Sequence, residues 1–205
     1  MKKVTGFKGG ASNTGMYAGV GLPTRRALLV NFALFQCAWF AAVLGAAHGY
    51  PLLGTACIFA AIAHHVTLSA RPAVEFRFVA AVCVAGFVAE SVVAMQGHIA
   101  YPSGQPIAWL APYWIVALWG LLATAPNVTL RWLKRRPLLA VLLGAVLGPM
   151  SFVAGVRLGG ARLVHPTTAL ITMALMWAIL MPALMWLSTR LDGIAASEPA
   201  GSRPS

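Results

Sequence analysis

The chain has 205 residues, of which 60% are hydrophobic and only 9% charged. A soluble domain carries roughly a quarter charged residues, so a water-facing surface is excluded and the natural solvent is a bilayer. The net charge of +11 is no nucleic-acid footprint, because the basic residues form no single face or stripe; they lie in short runs between apolar segments.

Residues 1–26 are Gly-rich, polar and basic and read as a flexible cytoplasmic tail. The first apolar run starts near Ala27 and is long enough to span, so no cleaved signal peptide is expected. Six apolar runs follow, at 27–47, 51–70, 78–96, 107–125, 138–156 and 167–187. Each approaches the ~20 residues that cross a ~30 Å hydrocarbon core as a helix. Barrel strands would be shorter and alternate in polarity. The expectation is an all-α, polytopic membrane protein: a six-transmembrane-helix bundle over 27–190, with a second flexible tail at 191–205.

Thirteen of the fifteen basic residues fall on one side of this topology: Lys2, Lys3, Lys8, Arg25, Arg26, Arg71, Arg77, Arg131, Lys134, Arg135, Arg136, Arg190 and Arg203. Positive charge stays inside, so both termini are expected in the cytoplasm. Trp132 and Trp186 then fall near the inner interface and Trp109 near the outer one, where indoles favour headgroup level. Cys37, Cys57 and Cys83 all lie in apolar runs and read as small packing residues. No internal repeat of the transporter kind is seen.

In the first run, Asn31 and Gln36 are polar residues of the inner half. In the second, His64 and His65 are adjacent and therefore point about 100° apart. One can face the bundle while the other leans to the headgroups; His64 is taken as the pocket candidate. Each outer loop carries one histidine, His48, His98 and His165. No carboxylate joins them, so no metal is expected.

The third run contains "FVAESVVAM", with Glu90 alone among apolar neighbours. A short carboxylate facing lipid is expensive and snorkels poorly. Glu90 is therefore expected inside the bundle. Counting 1.5 Å per residue from Phe78 puts it about 18 Å from the inner face, at the depth of three hydroxyl residues: Tyr113, Ser151 and Thr172. At least one of these is expected to bond it.

The fifth run and its exit read "LLGAVLGPMSFVAGVRLGGARLVHP". Gly144, Gly148, Gly155 and Gly159 lie at small-residue spacing that lets a partner helix approach closely. Pro149 removes a backbone donor and should kink the helix. Arg157 and Arg162 are the basic residues left on the outer side, and Arg157 at the helix end is the better placed to meet an anionic lipid, since a guanidinium forks onto phosphate or carboxylate.

No phosphate loop, dinucleotide glycine motif, HExxH, CxxCH or GxSxG is present, and no cofactor is expected. The stretches "NFALFQCAWFAAVLGA" (31–46) and "GPMSFVAGVRLGGARL" (148–163) resemble the Domain of Unknown Function 2878 family of small inner-membrane proteins of Gram-negative bacteria, over residues 27–190. The family has no established activity. Its members are often encoded near enzymes that modify membrane fatty acids, so the resemblance implies lipid-related work or envelope homeostasis. Three functions remain open: an accessory protein binding a lipid or small amphiphile, an intramembrane lipid-modifying enzyme with His64 or Glu90 as acid or base, and a small proton-coupled transporter using Glu90.

Overall fold

The structure is a computed structural model and describes residues 22–194 together with Tyr17–Ala18. Among the described residues six α-helices form: α1 (Arg25–Ala47), α2 (Pro51–Thr67), α3 (Pro72–Met95), α4 (Tyr113–Ala123), α5 (Pro137–Arg157) and α6 (Pro166–Arg190). Proline starts α2, α3, α5 and α6, where its missing N–H costs no helical bond. The α1 start is capped by Thr24 Oγ1, which accepts from Ala27 N at 3.2 Å. Two short antiparallel pairs accompany the helices. Tyr17–Ala18 (β1) pairs with Leu22–Pro23 (β2), and Ile99–Ala100 (β3) with Arg162–Leu163 (β4).

The protein is therefore an all-helical membrane protein. Four helices, α1, α3, α5 and α6, are long and apolar enough to cross a membrane. Two helices, α4 and α3, depart from the expected runs. The fourth run, expected over 107–125, shrinks to eleven helical residues, because Pro106 and Pro112 keep its first part non-helical. The third starts at Pro72 rather than at 78. Glu90 thus lies only about 7–8 Å along the helix from its C-terminal end.

The short helix α4 is the centre of the molecule. Trp114, Ile115, Ala117, Trp119 and Leu121 are all buried, and α1, α2 and α3 pack around it. The α1–α2 crossing is close, since a Cβ on Gly54 would fall 2.4 Å from Ala42 Cα. The α5–α6 hairpin joins this body through α6, which packs on α3. Large apolar side chains such as Leu29, Phe32, Leu52, Phe76, Leu138 and Leu175 are exposed around the outside, as a lipid-facing surface requires. Cys37 and Cys57 lie on that outer surface rather than in the packing, Cys83 is half-buried, and all three are free.

The two ends are built differently. At the end holding β3–β4, residues 101–112 fold over α4: Ser103 Oγ donates to Ala46 O at 2.8 Å, Trp114 Nε1 donates to Ser103 O at 3.1 Å, and Ala111 N donates to Ser91 Oγ at 3.1 Å. At the other end lie residues 124–134 and the C-terminal end of α6. Residues 191–194, assigned above to the flexible tail, dock here: Ile194 is fully buried, and Gly193 bonds to α3. The remaining tail residues 1–16, 19–21 and 195–205 lie outside the described residues.

Candidate functional site

A cavity of about 530 Å³ lies between α1, α4, α5 and α6, with Glu90 of α3 on its wall. Its size falls in the usual range for small-molecule sites. The walls are aromatic: Phe35 and Trp39 of α1, Trp114 and Trp119 of α4, Phe152 of α5 and Trp177 of α6. Leu147 and Met150, also lining it, are about half exposed on the outside of α5. The cavity therefore opens sideways, beside α5, onto the surface that meets lipid.

One motif shapes this chamber. The indoles of Trp119 and Trp177 stack 4.7 Å apart and 10° from parallel, joining α4 to α6. Each abuts a glycine. A Cβ on Gly86 would lie 2.1 Å from Trp119 Cγ, and one on Gly148 would lie 2.3 Å from Trp177 Cγ. The absence of two methyl groups, one on α3 and one on α5, makes room for the stacked pair.

Glu90 is 3% exposed. Its Oε1 accepts from Trp119 Nε1 at 3.2 Å, so an indole takes the place expected for a hydroxyl of Tyr113, Ser151 or Thr172. Its Oε2 is buried without a hydrogen-bond partner. Tyr101 OH is in the same condition; its ring meets Trp114 and Phe152 edge-on, each at 6.4 Å. Burial, with the nearby charge of Glu90 adding to it, pushes the Tyr101 phenol well above its usual range.

The sequence candidates divide. Gln36, Ser151, Gly148 and Gly155 line the cavity with Glu90. Tyr113 and Thr172 are half-buried away from it. Arg157 and Arg162 are exposed and do not line it. Gly144 does pack against α6, since a Cβ there would lie 2.3 Å from Trp177 O. Gly155 instead faces open space, with only Val43 at 4.0 Å. Gly159 ends the helix: its φ is +86°, and Gly160 N donates back to Gly155 O at 2.9 Å, the arrangement in which glycine is favoured. His98 and His165 meet edge-on at 5.4 Å, whereas His48 Nδ1 bonds its own helix at Leu44 O, 2.8 Å away. Among the described residues no three His, Cys, Asp or Glu side chains gather in a metal-binding group.

The opposite end holds a second polar cluster that the sequence reading missed. Glu75 is fully buried. Its Oε1 lies 2.8 Å from His65 Nε2, Asn127 Nδ2 donates to Oε1 at 3.0 Å and to Oε2 at 2.9 Å, and Gly193 N donates to Oε2 at 2.8 Å. Lys134 Nζ donates to Asn127 Oδ1, Ser188 O and Asp192 Oδ2, and Arg131 pairs with Asp192 at 2.8 Å. Burial holds the Lys134 ammonium below its usual range, although Asp192 opposes that shift. Of the two adjacent histidines, His65 faces inward and His64 is exposed. Asn31 belongs nearby, donating to Thr124 and accepting from Thr129 Oγ1 at 3.1 Å. Every carboxylate oxygen of Glu75 is satisfied, which is how a framework element looks.

Residues 28–183 match the family model described as a protein of unknown function (DUF2878). No curated protein and no solved structure matches the chain.

Proposed function

The chain belongs to the family of proteins of unknown function designated DUF2878, and from that premise we propose that it is a multi-pass inner-membrane protein that binds a lipid or small amphiphile in the cleft beside α5, as an accessory protein of membrane lipid or envelope homeostasis. One observation carries this reading. An aromatic cavity of about 530 Å³, open sideways past Leu147 and Met150, holds a buried carboxyl oxygen with no partner, Glu90 Oε2. Buried polar atoms without partners are rare in framework positions, and an apolar chamber with a few placed polar groups is the usual form of a ligand site.

In this reading all six helices cross, with both termini in the cytoplasm. Helix α4 is too short to span alone, but irregular backbone is tolerated at membrane depth where protein surrounds it. The charge asymmetry of the loops supports the orientation. The chain that enters the cleft comes from the surrounding bilayer.

The test is a native mass spectrum of the purified protein beside that of Gly155→Phe. Position 155 lines the cavity, and a Cβ there meets nothing nearer than Val43 at 4.0 Å, so a larger side chain has room to start into the chamber. A stoichiometric bound mass in the wild type that is lost in Gly155→Phe supports the proposal. A bound mass that persists in the variant, or none in either protein, overturns it.

A further inference from the structure

The chemistry of the cavity wall narrows what the chamber accepts. Among its described lining residues Glu90 is the only ionisable side chain. No arginine, lysine or histidine is among those described residues. Arg157 and Arg162, which an anionic lipid would need, are exposed and outside it. We infer that the site selects an amphiphile whose head donates a hydrogen bond, a hydroxyl or an ammonium on an apolar chain, and that it rejects carboxylate and phosphate heads. The inference rests on the amphiphile reading above and names its ligand class.

The argument is one of pairing. Glu90 Oε1 already accepts from the Trp119 indole, and Oε2 has nothing to accept from. A ligand donor completes it. An anionic head fails with either form of the acid. Ionised, Glu90 repels it. Protonated, Glu90 supplies one O–H but no charge, and an anion moved from water into an apolar chamber without a cation is strongly disfavoured. The surrounding indoles sharpen the preference, since an aromatic face attracts cations and presents negative potential to anions.

Three ω-bromo probes of equal chain length, an alcohol, a primary amine and a carboxylate, test the inference with full-length protein in phosphatidylcholine nanodiscs. Bromine quenches the cavity tryptophans on binding. The exposed Trp109, Trp132 and Trp186 give a non-saturating background, which Gly155→Phe measures separately. After correction for partition, the alcohol and amine are expected to bind at least about tenfold tighter than the carboxylate. Glu90→Gln, whose amide can itself donate, is expected to lower that ratio severalfold, leaving the part set by the aromatic, cation-free walls. If the carboxylate binds as well as the alcohol, or the ratio is undiminished in Glu90→Gln, donor selection is wrong while the amphiphile site stands. If no probe quenches above the Gly155→Phe background, both readings fall. The wild-type ratio decides the matter even if Glu90→Gln does not fold.

Discussion

Glu75 and Glu90, the two buried carboxylates of α3, are opposites in partnership: both oxygens of Glu75 are bonded, whereas Glu90 leaves one unused. Glu75→Gln puts an amide donor against the donors of Asn127 or Gly193. It should destabilise the fold by about 2–4 kcal/mol, the scale of breaking a buried charged network. Glu90→Gln removes an imperfectly solvated acid and should leave stability unchanged or raise it. Chemical denaturation of both variants in the same detergent measures the contrast. Equal losses would mean that Glu90 is framework too.

Gly148 and Gly155 lie on one helix and should respond oppositely. Gly148→Ala drives a methyl into the Trp177 ring and must displace the stacked pair, at an overpacking cost of about 1–3 kcal/mol. Gly155→Ala meets open space and gains helix propensity, so its effect should be neutral or stabilising by up to about 1 kcal/mol. Thermal unfolding midpoints, with near-ultraviolet dichroism reporting the coupled indoles, separate the two.

The sign of the pH dependence at the tail-docking end follows from Lys134. Burial lowers its folded pKa below 10.5. Within the window between the folded value and 10.5, the unfolded chain holds a proton that the folded chain does not. Stability contributed by this residue therefore rises with pH through that window. Lys134→Met should flatten the rise, as measured by denaturation at a series of pH values from neutral to about 10. A steeper slope in the variant would show that the Asp192 pairing outweighs burial.

Reporter fusions test the orientation. Those placed after Arg71 and Arg135 should read cytoplasmic, and one after Gly104 periplasmic. A periplasmic signal at Arg135 would remove the six-crossing reading.

The six helices were legible because each needs only length and apolar content. Their ends were less so. Apolar residues 107–112 read as helix although prolines prevent one, and the charged first turn of α3 falls outside the apolar run although Pro72 marks its start. Glu75 lies in that turn and so outside the apolar pattern. Its partners, His65, Asn127 and Gly193, are scattered along the chain and meet only through tertiary packing; a glutamate in a first helical turn beside an inward histidine was the available signal. Glu90 was legible as buried because a lone carboxylate among apolar residues has few alternatives. Its partner was not, since depth counting considered only hydroxyls. Trp119 and Trp177, mid-run and away from headgroup level, were the clue that indoles line the interior.

The docking of Gly193 on Glu75 and Arg71 sets an order of events during biosynthesis. Gly193 N donates to Glu75 Oε2 and Gly193 O accepts from Arg71 N at 2.8 Å, so one of the last described residues closes a site opened by the third helix. While the ribosome is still making α4 to α6, Glu75 waits without that donor and without the cations gathered around Asp192. The first turn of α3 therefore carries an incompletely bonded carboxylate until residues 191–194 dock. Chains that stop before Gly193 are expected to lack this closure, leaving Glu75 Oε2 short of one of its donors.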